Sequence, residues 1–172
     1  MIHAPRPALA LYQPDIAGNT GTLIRLSACL ASELHIIDPA GFRHDDTALR
    51  RAGMDYADLA SITRHADFAA FEAWRAGAGQ TGAGRRLVLL TTRVETAYTD
   101  FAFRPGDLLL LGRESAGVPD TVHAACDAAV TIPMAPGARS LNQAVSAAMV
   151  LGEALRQTDG FSDRPASAGS IG

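Results

Sequence analysis

Short apolar runs that alternate with segments of helical periodicity are the feature that most constrains the fold of this chain. Leu87–Leu90 and Leu108–Leu111 consist entirely of apolar residues, and turn-forming residues lie on both sides of each run. Uninterrupted runs of this length indicate strands that are buried on both faces. Segments with helical spacing separate them. Strands that alternate with helices predict an α/β fold, with a mostly parallel sheet and helices on both of its faces.

The predicted elements cover most of the chain. The predicted strands are Ala8–Tyr12, Leu34–Ile37, Ser61–Arg64, Leu87–Thr91, Asp107–Leu111 and Ala128–Ile132. The predicted helices are one that begins near Asn19 or Thr20, either of which would cap it, then Thr47–Ala52, Phe68–Arg75, Pro119–Ala125 and a last helix from about Ser140 to Gln157. We expect residues 1–157 to form one domain. Residues 158–172 are rich in Ser, Gly, Pro and Asp, and predict a flexible C-terminal tail.

The composition excludes several classes of protein. The 172 residues are 48% hydrophobic and 19% charged, which is typical of a globular domain and not of a disordered or fibrous chain. The apolar runs are much shorter than the roughly 20 residues of a membrane-spanning helix, and the first residues show no secretion signal. The two cysteines and five histidines lack the spacing of a disulfide framework or a metal site. We therefore expect a cytoplasmic protein that uses neither a membrane nor a metal.

The charge of the chain leaves RNA binding open. Eighteen acidic residues and 15 arginines, with no lysine, give a net charge of −3, whereas a nucleic-acid-binding domain is usually basic overall. Arginine, however, presents a planar group that binds phosphate through two parallel hydrogen bonds. The composition therefore argues against a uniformly basic surface, but not against a local site for a phosphate backbone.

A glycine-rich segment matches the G-x-G-x-x-G pattern of dinucleotide-binding proteins at Gly77, Gly79 and Gly82. In those proteins the pattern follows a strand and opens a helix, so that the backbone approaches a pyrophosphate at the helix N-terminus. Here the glycines follow a predicted helix and precede the strand at Leu87, which is the reverse order. The segment is interpreted as a flexible loop, and a nucleotide-dependent oxidoreductase is disfavoured.

Polar residues concentrate in three further segments, which lie close to the ends of predicted strands. These segments are Asn19–Arg25, Leu111–Pro119 and Ile132–Ala144. In parallel sheets, ligands bind at the carboxyl ends of the strands, so all three segments are candidates for one site. Taken singly, each segment also has a purely structural interpretation, as a helix cap, a turn or a solvated helix face.

Taken together, the three segments resemble the signature motifs of the SpoU class of the SPOUT superfamily, which are S-adenosylmethionine-dependent RNA 2′-O-ribose methyltransferases. The family pattern N-x-G-x-x-x-R is matched by Asn19–Arg25, and the pattern G-x-E-x-x-G-[LVI]-P by Gly112–Pro119. The third pattern, I-P-M followed by S-[LM]-N, is matched by Ile132–Met134 and Ser140–Asn142. Segment 42–56 further resembles the branch that methylates the wobble cytidine or uridine of the tRNA anticodon.

The resemblance implies a fold and an assembly that the periodicity of the sequence does not reveal. SPOUT proteins thread the C-terminal part of the chain through a loop, which forms a trefoil knot, and a dimer completes their active site. We therefore expect a C-terminal knot and a homodimer that binds the anticodon stem-loop of a tRNA. Because the first predicted strand begins at Ala8, we also expect a minimal enzyme without the additional N-terminal RNA-binding domain of some relatives.

The resemblance also assigns S-adenosylmethionine as the cofactor and gives roles to individual residues. Arg25 is the expected catalytic residue, and would bind the adjacent phosphate and the developing ribose alkoxide, because a free guanidinium holds its proton too tightly to be a good base. A role of Arg25 as a transient proton acceptor stays open. The other polar positions of the motifs, expected to orient Arg25, the ribose or the phosphate, are Asn19, Glu114, Ser140 and Asn142. The positions expected to contact the cofactor are Leu90, Gly112, Ile132, Met134, Ser140 and Leu141.

Two residues of the second motif have further expected roles. Gly112 is expected to let the backbone approach the cofactor, and Arg113 is a candidate for binding a phosphate.

Two alternative functions remain open. One alternative is a SpoU-type enzyme that acts on another tRNA or rRNA nucleotide. The other is a knotted RNA-binding protein without turnover, which the joint presence of all the polar motif residues disfavours. Further candidates for RNA contact are Arg43, Arg50 and Arg51.

Overall fold

The computed structural model describes residues 5–43, 45–77 and 84–161. Its strands are β1 (Ala8–Tyr12), β2 (Leu34–Ile37), β3 (Ile62–His65), β4 (Leu87–Leu90), β5 (Leu108–Leu111) and β6 (Ala128–Val130). Its helices are α1 (Ala17–Cys29), α2 (Thr47–Gly53), α3 (Phe68–Ala76), α4 (Asp120–Ala125) and α5 (Gln143–Gln157), and 3₁₀ turns cover Met54–Asp58 and Tyr98–Asp100. Each predicted strand and helix is therefore present, with shifts of a few residues at its ends.

The six strands form one parallel sheet in the order β3-β2-β1-β5-β4-β6. β1 and β5 are neighbours although they are far apart in the sequence, with Ala8 beside Leu108 and Leu11 beside Leu111. Parallel neighbours end at the same edge of a sheet, so the loops that follow β1, β4, β5 and β6 meet there. The predicted parallel α/β sheet is confirmed. The trefoil knot stays a prediction.

Helices cover both faces of the sheet because the side chains of each strand alternate between them. Leu9 and Leu11 of β1 belong to a core cluster on one face, whereas Ala8, Ala10 and Tyr12 belong to a cluster on the other. The first cluster includes residues of α1 and α5, among them Leu23, Ile24, Ala147, Val150, Leu151 and Leu155. The second includes Phe71 of α3 and Val122 of α4. The predicted burial of the sheet on both faces is confirmed.

The predicted cap of α1 is wrong. The helix begins at Ala17, two residues before Asn19, and its N-cap is Ile16, which makes no side-chain capping bond. Asn19 and Thr20 therefore lie in the first turn. The Asn19 side chain is engaged with residues outside the helix, and this tertiary contact replaces the capping role that its residue type favours.

The predicted start of α5 at about Ser140 is also wrong, because the helix begins at Gln143. Asn142 is the N-cap, and its side-chain oxygen accepts hydrogen bonds from the N–H groups of Ala144 at 2.9 Å and Val145 at 3.3 Å. By contrast, the predicted cap of α3 is confirmed, since the Asp67 carboxylate accepts from the Ala70 N–H at 2.7 Å. A capping side chain thus fixes where each of these two helices begins.

Two of the sequence-based predictions concern segments that the structure covers only in part. The glycine-rich loop 77–82 lies outside the described residues except for Gly77, which ends α3. The proposed tail is described only as far as Phe161, beyond the last turn of α5. Among the described residues, no helix combines the length and the apolar character needed to cross a membrane.

Candidate functional site

A cavity of about 360 Å³ opens at the carboxyl edge of the sheet, where β4, β5 and β6 end and α5 begins. Leu90 ends β4, Gly112 follows β5, and Ile132 lies just beyond β6. The sequence-predicted site residues that line the cavity are Asn19, Leu90, Gly112, Glu114, Ile132, Met134, Ser140, Leu141 and Asn142. Three segments that are distant in the chain therefore form one site, because parallel neighbours align their carboxyl ends.

Arg25 is the one predicted site residue that does not line this cavity. It is exposed on α1, and its guanidinium carbon lies 4.9 Å from the centre of the Tyr56 ring, where the face of the ring attracts a cation. Gly21, one turn before Arg25, lets α2 pack closely on α1, since a Cβ there would lie 2.6 Å from the Leu49 carbonyl oxygen. The expected catalytic guanidinium is therefore held on the flank of α1 that faces the segment after α2.

A chain of three side chains forms one wall of the cavity. The Asn142 oxygen is occupied by the N-terminus of α5, so its amide nitrogen points away from the helix and donates to the Asn19 oxygen at 3.1 Å. The Asn19 nitrogen is then free to donate to Glu114 Oε1, at 3.4 Å. Because the Asn142 oxygen caps α5, its nitrogen must donate to Asn19, and Asn19 must then donate to Glu114. The cap of α5 thus sets which group donates and which accepts in each of these side-chain bonds.

Asp15, which the sequence analysis did not identify, continues the chain from the loop between β1 and α1. Its backbone N–H donates to Glu114 Oε2 at 3.0 Å, and the Glu114 N–H donates to Asp15 Oδ1 at 3.1 Å. The Ser115 hydroxyl donates to Asp15 Oδ2, and Arg113 Nε lies 3.5 Å from the same oxygen. Two loops from neighbouring strands are thus joined by a pair of reciprocal bonds.

The pKa values of the two carboxyl groups, Asp15 and Glu114, are shifted in opposite directions. The side-chain hydrogen bond from Glu114 lowers the pKa of Asp15 to about 2, and bonds from Ser115 and the Glu114 backbone act in the same direction. Burial raises the pKa of Glu114, and its bond to Asp15 raises it further. Groups that donate hydrogen bonds favour the ionised form, whereas burial disfavours it. The pair therefore holds its charge on Asp15 and binds a proton most readily on Glu114.

The structure gives a reason for glycine at position 112 that differs from the expected one. A Cβ at this position would lie 2.6 Å from the carbonyl carbon and 2.7 Å from the Cα of Gly117. The loop between them is closed by backbone hydrogen bonds in both directions between Arg113 and Gly117, at 2.9 Å and 2.8 Å. The glycine is needed because the loop folds back on itself, and the expected approach to a cofactor stays a prediction.

The lining of the cavity fits a nucleoside better than a metal ion. Leu90, Ile132, Met134 and Leu141 provide apolar surface of the kind that packs against a flat base. Gln143 donates from Nε2 to the Gly112 carbonyl, while its Oε1 is buried and has no hydrogen-bond partner among the described residues. A buried acceptor of this kind suits an N–H group of a bound molecule. Within the described residues, no cluster of three or more His, Cys, Asp or Glu could hold a metal.

Comparisons with known proteins agree with this geometry. Residues 6–152 match a family model described as the SpoU rRNA Methylase family. A protein of Ancylobacter novellus named tRNA (cytidine(34)-2′-O)-methyltransferase is 62% identical over 154 residues, which cover 90% of this chain and 94% of the relative. These matches span all three polar segments.

Solved structures show the same fold. One, described as "Structural insights into the 2-OH methylation of C/U34 on tRNA", is 38% identical, with a TM-score of 0.80 over 90% of this chain and 97% of its own. Another, an AdoMet-bound rRNA methyltransferase from Sinorhizobium meliloti, is 26% identical, with a TM-score of 0.79 over 90% of this chain and 57% of its own.

Proposed function

The chain belongs to the SpoU rRNA Methylase family, and from this premise we propose that it methylates the 2′-oxygen of the wobble nucleotide, cytidine or uridine 34, in tRNA. The observation that carries the proposal is the convergence of the three motif segments on one cavity. The high identity to a relative named for this reaction supports the choice of nucleotide. Since the proposed substrate is a tRNA, we expect the enzyme to act in the cytoplasm.

The methyl donor of SpoU enzymes is S-adenosylmethionine, whose sulfonium group supplies an electrophilic methyl. In this chain Leu90 and Ile132 would hold the adenine between apolar side chains, with Met134 and Leu141 beside them. Gln143 Oε1 would accept a hydrogen bond from the bound cofactor, which satisfies a buried oxygen that lacks a partner in the described residues. Ser140 lies at the rim of the same cavity.

The chemistry left to the protein is to orient the 2′-hydroxyl and to stabilise its oxygen while the proton passes to solvent, either directly or through transient transfer to Arg25. Arg25 would bind the phosphate next to the reacting ribose and stabilise the alkoxide as it forms. Asn19, Glu114 and Asn142 would fix the position of the ribose or the phosphate, since their hydrogen bonds leave each side chain one orientation. Orientation of this kind supplies a large part of the rate acceleration in a transfer between two bound groups.

The RNA would be held by arginines outside the cavity. Arg50 and Arg51 are exposed on α2, and Arg43 is exposed in the segment before it, where its Nε lies 3.1 Å from Asp45. The nearby carboxylate offsets part of the charge of Arg43, so Arg50 and Arg51 are the stronger candidates for phosphate contacts. Arg113 is engaged with Asp15 and remains a further candidate.

The proposed enzyme is a homodimer. Four large apolar side chains are exposed around the cavity and along α5, at 48% for Ile16, 41% for Leu141, 49% for Val145 and 38% for Met149. Exposed apolar side chains grouped in this way are typical of a protein interface. Because Arg25 does not line the cavity of its own chain, a second copy packed on this surface would complete the site with its own Arg25.

Complementation between two inactive variants tests the shared site. Arg25→Ala removes the proposed catalytic group, and Asn142→Ala disrupts the cavity wall. If the site is shared across a two-fold axis, half of the sites in each mixed dimer are intact, so co-expressed variants should recover about a quarter of the wild-type activity. If each chain builds its own site, the mixed dimers have no intact site and recover nothing. Sedimentation of a Val145→Asp variant, expected to be monomeric, is the matched test of the interface.

The substrate is tested directly with two measurements. Nucleoside mass spectrometry of tRNA from a deletion strain should show the loss of one 2′-O-methylated nucleotide at position 34. In vitro, a tRNA with a 2′-deoxy nucleotide at position 34 should accept no methyl group, whereas the same change at position 32 should leave transfer intact. Transfer to the 34-deoxy tRNA, or loss of a methyl group from rRNA in the deletion strain, would contradict the proposal.

A further inference from the structure

We propose that Asp15 is a positioning residue for methyl transfer: it holds the Glu114 side chain, and through it Asn19, in a single orientation on the cavity wall. The inference deepens the proposed function and rests on it. Asp15 lies in the loop between β1 and α1, outside the three motif segments. Its role follows from the bonds that join this loop to the one after β5.

The reciprocal bonds hold Glu114 at two points. Its backbone N–H is bound to Asp15 Oδ1, and its side-chain Oε2 is bound to the Asp15 N–H. A rotation of the Glu114 side chain would leave the Asp15 N–H without its acceptor, in a part-buried loop where an unpaired donor is costly. The N–H of residue 15 thus favours one rotamer of Glu114, which directs Oε1 towards Asn19. The Asp15 carboxylate fixes the backbone from which that rotamer extends, through the Glu114 N–H, the Ser115 hydroxyl and Arg113.

The orientation of Asn19 depends on Glu114 in turn. Since the Asn19 oxygen accepts from Asn142, its nitrogen needs an acceptor on the opposite side, and Glu114 Oε1 provides it. Without that acceptor, the bond from Asn142 is the remaining one of the two that orient the Asn19 amide. The side chains that would face the ribose are thus ordered from two ends, by the cap of α5 and by Asp15.

The charges around Asp15 and Glu114 support the same role for Asp15. Asp15 Oδ2 faces two groups that favour its ionised form, the Ser115 hydroxyl and the guanidinium of Arg113. Glu114, half-buried beside this charge, has a raised pKa. A neutral side chain at position 15 would remove one cause of that shift, so the pKa of Glu114 would move back towards its ordinary value.

The Asp15→Asn variant tests the inference, because it replaces one carboxylate oxygen by an NH₂ group, which cannot pair with Arg113 or accept from the Ser115 hydroxyl. The loop that carries Glu114 then loses these two contacts, while an acceptor for the Glu114 N–H remains. We expect kcat for tRNA methylation to fall about 10- to 100-fold, as for a small misplacement of reacting groups. The Kd of S-adenosylmethionine and the KM for tRNA should change less than about threefold, because Asp15 does not line the cavity. Asp120→Asn, at an exposed carboxylate paired with Arg93, is the matched control and should leave all three unchanged.

A titration of Glu114 separates positioning from a general loss of structure. In protein labelled with carbon-13 at the carboxyl groups, with the signal assigned by Glu114→Gln, the Glu114 pKa should fall in Asp15→Asn. Ser115→Ala should lower it by a smaller amount, since the ionised form of Asp15 loses one donor. This exposed second substitution also serves if Asp15→Asn does not fold.

The results distinguish a failure of the role proposed for Asp15 from a failure of the proposed function. A Glu114 pKa that is unchanged in both variants, or a kcat for Asp15→Asn within about threefold of the wild type, overturns the role of Asp15 even if the enzyme methylates tRNA. A wild-type enzyme that transfers no methyl to tRNA contradicts the proposed function instead. The Glu114 titration needs no substrate, so it still shows whether Asp15 controls this side chain.

Discussion

Each face of the sheet carries a group of polar side chains, but only one of the two groups is buried. On the side of α1 and α5, Asn19, Glu114 and Asn142 form a directed chain that borders the cavity. On the side of α3, His35 and His65 lie 3.1 Å apart between ring nitrogens, and both pack against Phe71 and Trp74. The first group lies at the carboxyl edge of the sheet, where a ligand can reach it. The second is enclosed, so we infer that it contributes to stability and not to function.

The largest expected effect is on stability and comes from the α3 side. Phe71 is fully buried and contacts both histidines and Trp74. Phe71→Ala should lower the free energy of unfolding by about 3–5 kcal/mol, because it leaves a cavity in a packed core. Chemical denaturation measures this loss, with Phe161→Ala, at an exposed position, as the control.

If the two faces have separate roles, the remaining folded Phe71→Ala protein should methylate tRNA at a rate within about twofold of the wild type. A large loss of kcat in protein shown to be folded would mean that the aromatic cluster reaches the site, and that the division between the faces is wrong.

The next largest effect should be on catalysis alone. Arg25→Ala should reduce methyl transfer about 10²- to 10³-fold, as the loss of one preorganised electrostatic donor does, while cofactor binding and the denaturation midpoint stay the same. Arg25→Lys should restore little, since a point charge does not reproduce the planar group. A radiolabelled transfer assay on undermodified tRNA measures both variants. Turnover near the wild-type rate in Arg25→Ala would show that Arg25 is an ordinary surface residue.

A smaller effect, on the α3 side, is a dependence of stability on pH. Burial lowers the pKa of His65 below its ordinary 6.5, and the neighbouring His35 lowers it further. The folded state therefore binds fewer protons than the unfolded state just below pH 6.5, so stability should fall as the pH drops through this range. Glu33, which lies beside His35 and is paired with Arg85, stays ionised throughout this change, because its hydrogen bonds to His35 and Arg85 lower its pKa to about 2.

Thermal unfolding at pH 7.5 and pH 5.5 measures this effect, and His65→Gln should reduce the difference between the two midpoints. A difference of the same size in the variant would assign the pH dependence to other groups. Activity per folded molecule should not follow the same curve, if the histidine pair is separate from the site.

The smallest expected effect belongs to the surface. Arg93 and Asp120 form an ion pair at 3.0 Å, with side chains 59% and 87% exposed. Arg93→Ala should change the free energy of unfolding by no more than about 1 kcal/mol, since exposed pairs contribute little, and should leave methyl transfer intact. A marked loss of tRNA affinity would instead identify Arg93 as an RNA contact.

The sequence predicted the elements of the fold well because apolar runs such as Leu108–Leu111 leave few alternatives. It also predicted most of the cavity, since the motifs contain residues such as Gly112 and Ile132, and the family resemblance assigned Leu90. It could not predict Asp15, because the bond to Glu114 depends on β1 lying beside β5, and nothing in the local pattern states which strands are neighbours.

Two other differences concern single residues whose partners the sequence does not reveal. Asn19 has the residue type of a helix cap, but its tertiary partners engage the side chain inside the first turn of α1. Gly112 was expected to let the backbone approach a cofactor, which stays a prediction, and the structure adds that this position must make room for Gly117. In both cases the residue type was informative, and its partner became visible only in three dimensions.

The strand order also has a consequence for the way the chain acquires its site. The bonds that build the cavity wall join residues 95, 99 and 123 positions apart, namely Asn19 with Glu114, Asp15 with Glu114, and Asn19 with Asn142. Contacts between residues so far apart in the sequence form late, because the entropic cost of closing a long loop must be overcome first. During synthesis, β1 and α1 leave the ribosome long before the partners of Asp15 and Asn19 exist. If the cofactor occupies this cavity as proposed, its binding can begin only after α5 has docked, and cofactor binding then reports that folding is complete.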